Sequence, residues 1–198
     1  AFPICLDTQD TQEIIDTVKR IAPVFGGINL EDISAPRCME IENALQDLGI
    51  PVFHDDQHGT AVVALAGLIN ASKLLNKPLS EMKVVINGAG AAGIAIARLL
   101  RCVDHFNGDV CQPVKEIILC DTKGIIHRER TDLTDLKKSL LSFSNLSNIQ
   151  GDVKEAINGA DVFIGVSSAN LLNRDDIATM NKDSIIFALA NPIPEIMP

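Results

Sequence analysis

Short apolar runs alternate with amphipathic stretches along the whole chain, and each run stops at a polar or glycine-rich junction. Pro3-Ile4-Cys5-Leu6 reads as a strand ending at Asp7. Asp10-Thr11-Gln12-Glu13 has the form of a capping box opening a helix with Ile14, Ile15, Val18 and Ile21 on one face. Residues 26–30 stop at Glu31-Asp32, and Ser34 with Pro36 starts a helix carrying Met39, Ile41, Leu45 and Leu48. Residues 50–53 stop at His54-Asp55-Asp56. Residues 60–75 follow as a helix apolar nearly all round, which predicts burial, with Ala64, Ala66 and Gly67 allowing close approach.

After Asn76-Lys77-Pro78 the pattern restarts. Lys83-Val84-Val85-Ile86 runs into Asn87-Gly88-Ala89-Gly90-Ala91-Ala92-Gly93 and then a helix over 94–100. Strands are predicted over 116–120, ending at Asp121, over 161–165, ending near Ser167, and over 184–189, ending at Asn191-Pro192. Helices are predicted over 132–141 and 153–157, and residues 104–112 read as a polar surface insertion. Strands alternating with helices predict an α/β protein, parallel sheets with helices on both faces and right-handed crossovers. The restart divides it into residues 1–77 and 78–198. In such sheets ligands gather at the carboxyl ends of the strands, so Glu31-Asp32, Asp55-Asp56, the glycine-rich turn, Asp121, Ser167 and Asn191 share one edge by topology alone.

Composition narrows the function classes. A formal charge of −9 over 198 residues argues against a nucleic-acid partner, whose binding needs clustered Lys and Arg. The longest apolar run, residues 61–69, falls short of the ~20 residues of a membrane span. Five cysteines (5, 38, 102, 111 and 120) form no CxxC pair, and the four His are scattered, so a reduced intracellular protein without zinc is expected. There are seven Phe and neither Trp nor Tyr, so no phenol is available for chemistry. The chain starts at Ala1, inside the first strand-like run, which suggests a piece of something longer.

Two constellations carry chemistry. Gly88-Ala89-Gly90-Ala91-Ala92-Gly93 is a full GxGxxG between a strand and a helix: Gly88 for the tight turn, Gly90 for approach of a pyrophosphate, Gly93 for helix–strand packing. An acid, Asp121, ends the next strand where a ribose 2′-hydroxyl would lie, which favours NAD. Lys123, two residues on, is placed to hold a 2′-phosphate instead. The other constellation is two acidic pairs at successive strand ends. Four carboxylates there suit Mg²⁺ or Mn²⁺, or acid–base work by a carboxyl raised by its neighbours, or plain helix-dipole partners. His54 and His58, flanking the second pair, are expected to orient carboxylates rather than to bind metal.

The segments Cys5-Leu6-Asp7-Thr8, Gly27-Ile28-Asn29-Leu30-Glu31-Asp32-Ile33 and Pro51-Val52-Phe53-His54-Asp55-Asp56-Gln57-His58-Gly59-Thr60, followed in order by the glycine-rich turn, Cys120-Asp121-Thr122-Lys123-Gly124, residues 160–167 and residues 186–192, resemble malic enzyme. The resemblance is nearest to the shorter bacterial branch of this metal-dependent decarboxylating malate dehydrogenase. It implies Glu31, Asp32 and Asp56 as ligands of Mg²⁺ or Mn²⁺, with Asp55 hydrogen-bonded to the catalytic lysine. It implies Gly88, Gly90, Ala91, Ala92 and Gly93 around the cofactor pyrophosphate, Asp121 and Lys123 by the adenosine ribose, Ser167 by the nicotinamide and Asn191 on the malate carboxylate. The expected reaction is oxidation of malate to oxaloacetate by NADP or NAD, with a slight lean to NADP, then metal-assisted loss of CO₂ to give pyruvate. A malolactic-type lyase and a non-catalytic dinucleotide-binding sensor are the alternatives.

The resemblance further implies a truncated metal-binding α/β part over 1–77 and a Rossmann-type dinucleotide-binding domain over 78–198. The partners implied are malate and further copies of the chain in a homo-oligomer, with no nucleic acid and no membrane; the compartment is cytoplasmic, with an organellar one left open. Two departures stand out. Residues 166–170 lack the Gly usual after that strand. The family's base Lys and acid Tyr come from a segment before Ala1, so the isolated chain is expected to be inactive.

Overall fold

A computed structural model describes residues 1–103 and 111–197. Most of the expected insertion at 104–112 therefore lies outside the described residues. The elements are α1 (Thr11–Ile21), β1 (Ile28–Leu30), α2 (Arg37–Leu45), β2 (Val52–His54), α3 (Thr60–Leu75), β3 (Lys83–Asn87), α4 (Ala91–Leu100), β4 (Glu116–Asp121), β5 (Gly124–Ile125), α5 (Asp135–Leu140), α6 (Val153–Ile157), β6 (Val162–Gly165), α7 (Arg174–Ile177) and β7 (Ile185–Ala188). The strand expected at Pro3–Leu6 does not form: residues 1–10 are irregular, with no strand among the described residues to pair their amides. β5 and α7 are too short to carry a periodic signal, and the sequence pattern missed both.

β1 and β2 form a two-stranded parallel sheet in which Leu30 stands opposite His54. The larger sheet has the order β5-β4-β3-β6-β7, parallel except for the short antiparallel β5. β3, β4 and β6 are apolar on both faces because helices cover both. One layer joins Ile86, Ile117 and Ile164 to Leu68, Ile96 and Leu140. The other joins Val85, Ile118 and Phe163 to Ala156, Ile157 and Met180. A separate small core holds α1 and α2 on the first sheet through Ile14, Val18, Ile41 and Leu45. Ala61, Ala64 and Leu68 belong to the core of the larger sheet, so α3 packs with the second half of the chain.

Asp10 caps α1, accepting from the Glu13 N–H at 2.9 Å. The box does not close, because the Glu13 carboxylate is held by the Thr8 hydroxyl instead. α3 departs from the expected burial: Val62, Val63, Ile69 and Leu74 are exposed, while Ala61, Ala64 and Leu68 face inward and Gly67 lies under the Phe187 ring. One π-helical turn, Asp55–Gly59, runs straight into α3. The resulting 21-residue helix, Asp55–Leu75, is long and apolar enough by length and composition to cross a membrane, which the apolar run alone was not. In this fold its inner face is built against α4 and β7.

The cysteines also differ from expectation. Cys102 and Cys111 are joined by a disulfide, with Cα atoms 6.1 Å apart. The bond closes the connection between α4 and β4, and a spacing of nine gives no sequence signal for it. Cys5, Cys38 and Cys120 are free thiols, and burial, then the nearby Asp121 and Asp152 carboxylates, push Cys120 up to about 12.

Candidate functional site at the carboxyl edge of the strands

β3 delivers the glycine-rich turn, and each glycine has a different physical role. Gly88 has φ +121°, and a Cβ there would meet the Val166 carbonyl oxygen at 2.7 Å. At Gly93 a Cβ would sit 1.8 Å from the Gly88 carbonyl oxygen, so only glycine lets α4 close on the turn. Around Gly90 there is nothing within 4 Å. Gly90 is also the N-cap of α4 and offers no side-chain cap, which leaves the first amides of the helix turned to open space, the arrangement that receives phosphate.

A cleft of about 330 Å³ lies in front of this turn, lined by Asp56, Thr60, Ala91, Ala92, Val166, Ser167, Leu189, Ala190 and Asn191. Residues singled out for metal, cofactor and substrate thus meet in one place. A smaller cavity of about 90 Å³ lies at the opposite, amino edge, against Lys77, Asp161 and Lys182. Asp161 there is held by Lys77 at 2.6 Å, the Lys83 N–H at 2.8 Å and Asn181 at 2.7 Å. Burial pushes its carboxyl up, these donors more than offset that, and it lies below its usual range. The second cavity is a satisfied structural junction.

The acidic pairs stand at the ends of β1 and β2. Asp32 has φ +57°, a left-handed turn that aspartate tolerates. It aims the Asp32 N–H at Asp56 Oδ2, 3.2 Å away. Glu31 is drawn aside by the Asn29 amide at 2.8 Å. Among the described residues no three His, Cys, Asp or Glu side chains converge as a metal cage. Asp32 therefore touches Asp56 through its backbone, and neither Glu31 nor Asp32 lines the cleft. The donor chemistry still suits a hard cation, with three carboxylates at two neighbouring strand ends. Asp55 folds over its own turn: a Cβ on Gly59 would meet Asp55 Oδ1 at 2.1 Å.

His54 is fully buried, and its Nδ1 accepts from the Gln57 N–H at 3.3 Å. Its Nε2 has no partner and points towards Asp56 Oδ2 at 4.0 Å. His58 pairs with a carboxylate outside the acidic cluster, Glu42 Oε1, at 2.7 Å, while Gln57 donates to Glu42 Oε2 at 3.1 Å. Glu42 is a buried acid on α2 that sequence reasoning missed, although an acid beside Ile41 on the helix's apolar face is a readable anomaly.

The far wall depends on a second missed acid. Glu195 is fully buried and accepts from the Ser167 N–H at 3.0 Å and the Ala190 N–H at 3.2 Å. Gly165 makes room for it, since a Cβ there would strike the Glu195 carboxyl at 2.2 Å. Ser167 Oγ also accepts from Asn87 Nδ2 at 2.6 Å, tying the ends of β3 and β6 together. Where residues 166–170 lack a glycine, Asn170 takes the left-handed turn, with φ +56°. Asp121 and Lys123 stand apart from the cleft at the end of β4.

The family model described as "Malic enzyme, NAD binding domain" matches residues 57–196, and "Malic enzyme, N-terminal domain" matches residues 6–46. The chain belongs to the malic enzyme family. It is 54% identical over its whole length to the NAD-dependent malic enzyme of Geobacillus stearothermophilus, of which it covers 40%. It is 52% identical to the bifunctional malic/malolactic enzyme of Bacillus subtilis, covering 47% of that protein. The solved structure of NAD-dependent malic enzyme from Thermotoga maritima superposes with a TM-score of 0.91 at 46% identity, over all of this chain and 51% of that one. This malic enzyme chain spans between about a quarter and about half the length of the relatives it matches.

Proposed function

We propose that this chain supplies the dinucleotide-binding site, and part of the metal and substrate site, of an enzyme that oxidatively decarboxylates malate to pyruvate and CO₂ with reduction of NADP or NAD. The observation that carries the reading is the single cleft bringing Asp56, Ala91, Ala92, Ser167 and Asn191 together. Glu31, Asp32 and Asp56 are the residues we assign to hold Mg²⁺ or Mn²⁺, with small side-chain movements bringing Glu31 off Asn29. When bound, the cation would polarise the C2 oxygen as a Lewis acid and the nicotinamide would take the hydride.

The chain's own residues do the positioning. The bare Gly90 and the first amides of α4 receive the pyrophosphate. Ser167, fixed by Asn87 and Glu195, borders the nicotinamide side. Asn191 donates to a malate carboxylate, and Asp55 orients the base. That base, a lysine in the family, and the tyrosine acid are not among the residues of this site; the sequence has no Tyr at all. A cytoplasmic setting and a homo-oligomeric assembly belong to the same proposal and concern the whole enzyme.

The test is appearance of reduced nicotinamide when the whole protein meets malate, Mn²⁺ and NADP or NAD. Asp56→Asn should lower that rate at least about a hundredfold while dinucleotide affinity, read by calorimetry, holds. The resemblance to a bifunctional malic/malolactic relative makes lactate the second product to assay. Malate consumption giving lactate with no reduced nicotinamide would replace oxidoreductase by lyase. The isolated 198-residue chain should turn over no malate, and full activity from it would overturn the division of labour.

A further inference from the structure

Acids with buried carboxylates in this protein have basic partners, with one exception. Glu42 meets His58 at 2.7 Å, Asp161 meets Lys77 at 2.6 Å and Asp121 meets Arg130 at 2.8 Å. Glu195 is fully buried, and among the described residues no Lys, Arg or His side chain pairs with it. Its donors are two neutral backbone amides, the Ser167 N–H on Oε1 and the Ala190 N–H on Oε2. Both oxygens therefore accept. A carboxylic acid or a Gln amide would turn a donor against one of these N–H groups, so the pair of amides selects the carboxylate. A buried negative charge held by neutral donors alone is compensated only in part.

The remaining charge stands behind the cleft. Ser167 and Ala190 both line it, so the Glu195 carboxylate lies one backbone amide behind the wall. Among the described residues the only charged side chain lining the cleft is Asp56, the acid assigned above to the divalent cation. No Lys or Arg among them opposes a cationic ligand there. A nicotinamide ring is cationic when oxidised and neutral once it holds a hydride. Ser167, the residue assigned above to border that ring, is the one whose amide the carboxylate takes at 3.0 Å.

We infer that Glu195 is the fixed counter-charge of the oxidised nicotinamide ring, so that the site discriminates between the two redox forms of its cofactor and favours the cationic one. The inference rests on the dinucleotide-binding reading above and deepens it, since that reading gives Glu195 only the task of holding Ser167. Attraction between unit charges is strong in a poorly hydrated site, so a carboxylate one amide behind the wall acts on the ring without touching it. A neutral ring gains nothing comparable. Glu195 is thus a specificity-determining residue that works through its field, and loss of the ring's charge on reduction favours release of the product cofactor.

The test is the affinity of the whole protein, with Mg²⁺ present, for NADP⁺ and NAD⁺ by calorimetry and for NADPH and NADH by nicotinamide fluorescence. In the wild type the oxidised forms should bind at least as tightly as the reduced ones. Glu195→Gln removes the charge at nearly constant size and should weaken the oxidised forms at least about fivefold more than the reduced. Adenosine diphosphate ribose, which lacks the ring, should bind the two proteins alike to within about twofold. Tighter binding of the reduced forms by the wild type would overturn the inference without any variant. An unchanged ratio in Glu195→Gln would do the same, as would equal weakening of both forms and of adenosine diphosphate ribose, the signature of a purely structural acid. Failure of every dinucleotide to bind would overturn the broader reading together with the counter-charge.

Discussion

Gly93 shows how much one missing methyl can decide. A Cβ placed 1.8 Å from the Gly88 carbonyl oxygen meets backbone, which cannot swing aside as a flexible side chain can. Gly93→Ala should cost at least about 2 kcal/mol of stability, read as a lower denaturation midpoint, whereas Gly90→Ala should leave the fold intact because its surroundings are open. These glycines were legible in the sequence because the motif's mechanism assigns each a separate steric task, and the structure shows a positive φ at Gly88, open space at Gly90 and a close helix–turn approach at Gly93. Glu42 and Glu195 were not legible. A buried acid is identified by its donors, and two of these, Gln57 for Glu42 and Ser167 for Glu195, arrive from 15 and 28 residues away in the chain. Asp121 was visible as an acid at a strand end, but not its donors Arg130 and Lys137, nine and sixteen residues on.

At the level of elements, periodicity located most helices and strands and misjudged their surroundings. α3 was read as buried because it is apolar all round, yet only the side bearing Ala61, Ala64 and Leu68 is packed. A pattern with no polar face cannot tell which side is covered. The π-helical turn before it was invisible for another reason: its hydrogen-bond spacing leaves no hydrophobic period. That turn is anchored to α2 by Glu42, which takes His58 and Gln57 together. Glu42→Ala should destabilise the protein by about 2 kcal/mol, because Gln57 is buried and would lose its acceptor. The same change should loosen Asp55 and Asp56, measured as faster amide exchange across residues 55–59 than across β4.

Across the whole molecule, two buried carboxylates, Asp121 and Asp161, knit opposite edges of the larger sheet, and both are held below their ordinary range. A carboxyl lowered in the folded state is stabilising above its unfolded value of about 3.9 and loses that contribution as pH falls through the folded value. Thermal midpoints should therefore be flat down to about pH 4 and fall steeply below it. Asp161→Asn should lower the midpoint at neutral pH and flatten the acid limb. The fold class and the gathering of polar residues at one edge followed from strand–helix alternation alone. The two-acid scaffolding did not, because it depends on which distant donors the topology brings near. The stretch after β7 makes the same point in a practical way. It carries three prolines and little else that looks structural, and a boundary drawn after Ala188 would look harmless. Glu195 makes it a keystone: its carboxylate lies beneath Gly165, and its carbonyl receives the Leu171 and Leu172 amides. Trimming the chain there would strip the Ser167 and Ala190 amides of their acceptor and unmake the cleft wall from behind.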